Sequence, residues 1–190
     1  MSISKRIMET IDKMVAGDAE GALIPVSIAI DATAQKEYPK CKTGDAYKIF
    51  LHKNLKLITK SSFGGVTIEN IRIKYNHPKI KVDNDGTCSV EQILYHAVRC
   101  GLLHKSNLPL NLKFTNEGMI KVENDLLILP ASLVYGLITA VVSSPVNCKE
   151  SIPLNYGMNI RNHSVPLNEL WGKGEKVSEI LSKLLSESAS

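Results

Sequence analysis

The chain has 190 residues, a net charge of +4 and 44% hydrophobic residues, which together fit one domain with a sizeable core. No apolar run reaches the roughly 18 residues that a membrane-spanning helix needs, and the N-terminus lacks the apolar stretch of a signal peptide. The four cysteines are scattered, and no Cys-x-x-Cys or Cys/His cluster indicates zinc. We therefore expect a cytoplasmic protein that uses no metal or other cofactor.

Three helices are predicted in the first third of the chain. The first runs from Ser2 to about Val15, where apolar residues recur at helical spacing. The second is alanine-rich, spans Ala22 to Pro39 and is apolar on most faces, so it should be central and buried. Its one acid in the apolar part, Asp31, needs a hydrogen-bonding partner or an exposed position. The third helix is predicted from Thr43, as N-cap, to about Lys60.

The third helix is predicted to be apolar on one side and basic on the other. Its basic side consists of Lys48, His52, Lys53, Lys56 and Lys60. From residue 40 to residue 81, ten Lys or Arg residues face only two acids, which gives this segment a net charge of +8. Such a surface favours an anionic partner, of which nucleic acid is the commonest. The alternative is a basic surface that contacts only solvent.

The rest of the chain alternates predicted strands and helices. One or two short strands are predicted between Val66 and Tyr75, and a clear helix begins at about Ser89. Residues 110–114 and 119–122 flank a turn and predict a β-hairpin, to which residues 125–129 add a third strand. Two more helices are predicted at 131–143 and 174–185, with an irregular segment rich in Pro, Asn and Gly at 145–166.

Arg99 and His104 lie at the end of the helix that begins at Ser89. A guanidinium grips a phosphate through a planar fork, and an imidazole titrates near neutrality and transfers protons. On an unbroken helix the two residues are about 140° apart and do not share a face. They form a site only if the helix bends or ends at Gly101, or if a second subunit brings its own copy close.

The phrase from Ile93 to His104, with Arg99, four residues and then His104, resembles the signature of the HEPN superfamily (higher eukaryote and prokaryote nucleotide-binding domains). The upstream order is similar to that group as well. An alanine-rich helix containing Asp31 and ending at Tyr38-Pro39 is followed by a helix with Phe50-Leu51. The resemblance covers about residues 17–105, and residues 110–190 match nothing in it.

The resemblance implies a homodimer in which the helix from about 89 to 103 lies near the two-fold axis. In catalytic members it implies a metal-independent ribonuclease that leaves a 2′,3′-cyclic phosphate. His104 would then act as general base or acid, and Arg99 would stabilise the charge that builds on phosphorus. His96, one turn before Arg99, could join this site. The basic segment would hold the RNA backbone.

The sequence thus predicts a mainly α protein: one HEPN-like helical bundle spanning residues 1–190, with a small β insertion near 109–129. Three functions stay open at this stage. The protein could be a metal-independent endoribonuclease. It could be a HEPN-like protein that binds RNA or a protein partner without chemistry. The alternative is a helical interaction or structural domain with no enzymatic activity, in which Arg99 and His104 occur together by chance.

Overall fold

Helices form most of the computed structural model, which describes residues 2–76, 79–99, 112–118, 120–124, 126–160 and 163–186. Within these residues the α-helices, in chain order, are α1 (Ile3–Val15), α2 (Ala19–Glu37), α3 (Thr43–Lys53), α4 (Leu55–Ser62), α5 (Val90–Ile93), α6 (Ser132–Ser143) and α7 (Gly174–Ser186). Helix α5 continues directly as a π-helix, Leu94–Arg99. Short 3-10 turns lie at Pro145–Asn147 and Leu167–Glu169.

Three small sheets accompany the helices in the described part of the chain. Strands β1 (Arg72–Ile73) and β2 (Cys88–Ser89) pair antiparallel. A three-stranded sheet has the order β3 (Leu112–Thr115), β5 (Leu126–Pro130), β4 (Lys121–Glu123). Strands β6 (Gly157–Ile160) and β7 (His163–Pro166) form an antiparallel hairpin.

The predicted fold class, a mainly α HEPN-like bundle with one small β insertion, is wrong, because the structure is mixed α and β with strands in three places. The hairpin β6–β7 lies where an irregular segment was expected. Its strands have four residues each, too few to show a period of two against the surrounding Pro and Asn. Cross-strand pairing decides them instead: Met158 lies opposite Val165, and both side chains are buried.

The predicted hairpin between residues 110–114 and 119–122 is also wrong in its pairing. Strand β5 is central, parallel to β3 and antiparallel to β4. Its side chains Leu127 and Leu129 are fully buried, so the most apolar strand takes the interior position. The tight turn joins β4 to β5 at Asn124, whose φ of 48° is a left-handed conformation that Asn tolerates.

Helix α2 is the centre of the core and packs against α1, α3 and α6. The core is one continuous cluster that extends from Ile3 in α1 to Leu181 in α7. The prediction of a buried central helix is confirmed, although the helix starts earlier, at Ala19, and contains Pro25 in its interior. Some polar groups that face this core are hydrogen-bonded: the Asn147 amide donates to the Thr33 hydroxyl at 2.9 Å.

The predicted helix from Thr43 to Lys60 is divided at Asn54 into α3 and α4. The Phe50 carbonyl at the end of α3 accepts from both the backbone amide of Asn54, at 3.1 Å, and the Asn54 side-chain amide, at 2.9 Å. Lys42, rather than Thr43, occupies the N-cap position. The break matters for the basic face, because Lys48 and His52 lie on α3 whereas Lys56 lies on α4.

We predict that Asp18→Ala lowers the free energy of unfolding by about 1 kcal/mol, the usual cost of losing an N-cap. The Asp18 carboxylate accepts from the Gly21 amide at 2.7 Å, and this hydrogen bond, followed by Lys13, lowers the pKa of Asp18. A lowered folded pKa means that the stabilisation is present above the ordinary value of 3.8 and is lost as pH falls below it.

Urea denaturation at neutral pH and at pH 3 measures this effect, with Glu179→Ala as the control because Glu179 is an exposed acid on α7. The difference in free energy of unfolding between wild type and Asp18→Ala should be smaller at the lower pH. A loss that is equal for the two variants would contradict the capping role.

Candidate functional site

Helices α3 and α5 lie side by side in opposite directions, and two pairs of side chains join them. Lys48 Nζ lies 5.9 Å from the centroid of the Tyr95 ring. One turn further along α3, His52 Nδ1 lies 2.9 Å from Glu91 Oε1. Since residues four apart share a helix face, Lys48 and His52 form one edge of this surface, and Glu91 and Tyr95 form the other.

Tyr95 is the aromatic centre of this surface. Its ring is 4.9 Å from the His96 ring in an edge-on arrangement and 5.5 Å from the Tyr47 ring. The Arg99 guanidinium carbon lies 5.7 Å from the Tyr95 centroid. Two cations from different helices therefore converge on one ring, at the distance of a cation–π contact. We call Lys48, Tyr95, His96 and Arg99 the Tyr95 cluster.

Gly44 makes the position of Tyr95 possible. A Cβ atom at residue 44 would lie 2.6 Å from both the phenol oxygen and the Cζ atom of Tyr95. The tip of the ring thus rests on the bare backbone of the first turn of α3. Any larger residue at this position would displace the ring that Lys48 and Arg99 contact.

The π-helical turn from Leu94 to Arg99 orients the C-terminal part of the cluster. Its i→i+5 hydrogen bonding widens the helix, so side chains here depart from the 100° spacing of an α-helix. His96 and Arg99 are therefore not separated by one regular α-helical turn, as predicted from the sequence. π-Turns within α-helices occur frequently at functional sites, and this one carries Tyr95, His96 and Arg99 of the cluster.

Asp31 of α2 is the partner of Arg99. The Arg99 Nη2 donates to Asp31 Oδ2 at 2.8 Å, and both side chains are largely shielded, with 17% and 21% of their surface exposed. The requirement for a partner at Asp31, predicted from its apolar surroundings, is met by this ion pair. The pair fixes the guanidinium against α2 and also neutralises part of its charge. Asp31 Oδ1 is buried and has no hydrogen-bond partner among the described residues.

His52 and Glu91 differ sharply in exposure. The glutamate side chain is 5% exposed, whereas the imidazole is 66% exposed. Glu91 Oε2 is buried and lacks a hydrogen-bond partner within the described residues. A buried carboxylate is costly unless it is paired, and the imidazole is the group that the structure pairs with it.

The lysines of α3 and α4 have contacts within the protein that the sequence does not indicate. Lys48 forms an ion pair with Asp45 at 3.1 Å, and Lys56 forms one with Glu69 at 2.6 Å. The hydrogen bond from Lys56 lowers the pKa of Glu69. Lys53 lies over the Tyr38 ring at 5.4 Å, and Lys60 donates to the Ser182 hydroxyl at 2.7 Å. The basic face is therefore real, but its charge is partly balanced.

The structure brings together four of the residues predicted from sequence: Lys48, His52, His96 and Arg99. Lys53, Lys56 and Lys60 extend the same region along α3 and α4. His104 lies outside the described residues, so the Arg99–His104 site stays a prediction. No group of three or more His, Cys, Asp or Glu side chains in the described ranges could hold a metal ion. No helix within those ranges has the length and apolar character of a membrane span.

Sequence reasoning missed Glu91 and Tyr95. The spacing of Glu91, Tyr95 and Arg99, each four residues from the next, could have indicated a shared face with two polar members and an aromatic residue. It could not have indicated that this face meets Lys48 and His52, because that contact depends on how α5 docks against α3.

We predict that Asp31→Asn lowers the free energy of unfolding by about 1.5 to 3 kcal/mol, since it removes the charge that neutralises a shielded guanidinium. The matched control is Asp45→Asn, which breaks the Lys48 ion pair, where the Asp45 carboxylate is 58% exposed. That change should cost less than about 1 kcal/mol. Chemical denaturation of both variants measures the difference, and equal losses would show that the Asp31–Arg99 pair has no special weight.

Comparison with known proteins gives a family but no solved structure. The Rv1289 family matches residues 2–189. The relatives include the uncharacterized proteins Rv1289 of Mycobacterium tuberculosis H37Rv and Mb1320 of Mycobacterium bovis, each 25% identical over 167 residues, or 84% of this chain and 78% of the relative. No solved structure matches. Because the family match extends over nearly the whole sequence, the chain belongs to the Rv1289 family.

Proposed function

We propose that this protein binds RNA through the Tyr95 cluster and the neighbouring lysines of α3 and α4. The observation that carries the proposal is the convergence of Lys48 and Arg99, from two different helices, on the ring of Tyr95. Lys48 and Arg99 each lie within cation–π distance of this ring, and both side chains are of the type that binds phosphate. RNA is the proposed source of that phosphate, and a cytoplasmic location is part of the proposal.

The lysine face extends far enough for a polymer of phosphates. Lys48 on α3 and Lys60 on α4 belong to two successive helices on either side of the break at Asn54. A single small anion would contact only one of these lysines, whereas a nucleic acid strand carries one phosphate per nucleotide. The extent of the face therefore favours a strand over a small anion.

The acids beside these lysines do not prevent such binding. Asp45 and Glu69 are 58% and 74% exposed, so their ion pairs with Lys48 and Lys56 are solvated and weak. A phosphate can replace either carboxylate at small cost. The acids lower the affinity for any polyanion, because each phosphate contact must displace an existing ion-pair partner.

RNA cleavage by Arg99 and His104 remains a prediction for this protein. The ion pair with Asp31 would hold the Arg99 guanidinium in one orientation, which suits a group that stabilises charge on phosphorus. A protein-interaction domain without chemistry is the competing function. Failure to bind RNA at low salt would favour that alternative.

For RNA binding we predict that Lys48→Ala and Lys56→Ala each weaken the affinity about fivefold to tenfold. Each should also reduce the slope of log Kd against log salt by about 0.7, the value for one lost phosphate contact on a single strand. Fluorescence anisotropy with labelled single-stranded RNA measures both quantities. The matched control is Lys121→Ala, because Lys121 also pairs with an exposed acid, Glu117, but lies on β4 outside the cluster.

We also propose a homodimer in which the α5 and π-helical segment lies near the two-fold axis. Val90, Ile93 and Leu94 are buried within the chain, so a second subunit would meet Tyr95 and His96 on this segment. Two Tyr95 clusters would then line one cleft. Sedimentation equilibrium at tens of micromolar should give the mass of a dimer, and a monomer at that concentration would contradict the proposal.

A further inference from the structure

We propose that His52 and Glu91 form a proton-transfer dyad that acts on the RNA held by the neighbouring lysines. This inference rests on the proposed RNA binding, but it uses neither Arg99 nor His104. The observation behind it is the contrast in burial: a 5% exposed carboxylate lies beneath a 66% exposed imidazole, with 2.9 Å between Glu91 Oε1 and His52 Nδ1. His52 is the catalytic residue of the dyad, and Glu91 is its positioning residue.

The carboxylate determines which imidazole nitrogen is available. An ionised Glu91 can only accept a hydrogen bond, so Nδ1 of His52 must carry the proton in this contact. The other nitrogen, Nε2, then has a lone pair, on a side chain that is 66% exposed. A carboxylate that fixes the tautomer and orientation of an exposed imidazole is the arrangement that general-base histidines require.

A purely structural ion pair explains this geometry less well. An exposed pair is worth little, because solvent screens both charges. Burying a carboxylate is costly, and a partner that is two-thirds exposed compensates only part of that cost. Glu91 Oε2 also remains buried without a hydrogen bond from the described residues. A structural ion pair does not account for the free energy that this buried, unpaired oxygen costs. The site is therefore a candidate for function.

The position of His52 on the lysine face supplies the substrate. Lys48 lies one turn before His52 on α3, and Lys56 lies one turn after it, in the first turn of α4. His52 thus lies between the two lysines in sequence, on the α3 side of the break at Asn54. The proposal places the RNA strand across both lysines and over the exposed imidazole. In RNA each such phosphate is next to a ribose 2′-hydroxyl, which is the proton source that Nε2 would meet.

The reaction assigned to the dyad is transfer of the phosphate within the RNA strand. His52 Nε2 takes the proton of the 2′-hydroxyl while the 2′-oxygen forms a bond to the adjacent phosphorus. The bond from phosphorus to the 5′-oxygen breaks, and that oxygen takes up a proton from water. Nε2 returns its proton to solvent, which completes the cycle. The products are a 2′,3′-cyclic phosphate and a free 5′-hydroxyl, with no oxidant, reductant or metal ion required by this balance.

The test measures binding and cleavage separately on the full chain, with 5′-fluorescein single-stranded RNA and its DNA counterpart in EDTA. Anisotropy gives Kd, and gel analysis gives kcat and KM together with the cyclic phosphate end. Wild type should bind both strands and cut only RNA. His52→Ala should lower kcat by about 10² to 10⁴ with Kd nearly unchanged. Added imidazole should restore part of the rate, which a structural role for His52 would not allow.

Glu91→Gln tests the positioning residue, since an amide can donate to Nδ1 and favour the wrong tautomer. It should lower kcat about a hundredfold with KM unchanged. Glu117→Gln is the matched control, because Glu117 is an exposed glutamate that pairs with Lys121, outside the Tyr95 cluster. Thermal denaturation identifies a variant that fails to fold. In that case Glu91→Asp, which keeps the charge and can still accept from Nδ1, should retain more activity than Glu91→Gln.

The outcomes separate the two proposals. RNA that binds to wild type and is not cleaved overturns the dyad and leaves RNA binding intact. Absence of binding overturns the proposed function and the dyad with it. Cleavage that is lost in His104→Ala and retained in His52→Ala assigns the chemistry to the Arg99–His104 motif and overturns the dyad. Loss in His52→Ala with rescue by imidazole supports it.

Discussion

The burial of helix α2 is the constraint on which the rest of the structure depends. Its middle is apolar on most faces, so α1, α3 and α6 must cover it. Its charged residue in that region, Asp31, is largely shielded and takes Arg99 as its partner. The same ion pair attaches the π-helical segment to the core. The packing of α2 therefore determines the position of the Tyr95 cluster.

The lysines of the candidate site are held by weak and exchangeable contacts. Lys48 and Lys53 lie over aromatic rings, and Lys48 and Lys56 pair with exposed acids. Rings and solvated carboxylates keep the lysines extended on the surface at little cost in free energy. An incoming phosphate then meets cations that are already ordered, which reduces the entropy lost on binding.

The contact between α3 and α5 joins two kinds of chemistry on one surface. The Lys48–Tyr95 pair suits phosphate binding, and the His52–Glu91 pair suits proton transfer. Each pair is one turn from the other, so a bound strand can reach both. Because Gly44 has no side chain and the π-helix has a wider turn, the Tyr95 ring fits beside Lys48, one turn from the His52–Glu91 pair.

The sequence by itself determined the long helices, because burial of one apolar face imposes a period that a single segment displays. Helix α1 is an example, whereas α2 and α6 were recognisable as long apolar segments. The need of Asp31 for a partner was likewise evident from its apolar neighbours in the sequence. The sequence also indicated Lys48 and His52 from helical spacing, and His96 and Arg99 from their place in the motif that ends at His104. Only the tertiary structure decided the short strands β6 and β7, the central position of β5 and the pairing of His52 with Glu91. The position of β5 and the His52–Glu91 pair depend on contacts between segments distant in the chain, and β6 and β7 depend on cross-strand pairing. The pattern of a single segment does not reveal the free energy of such contacts.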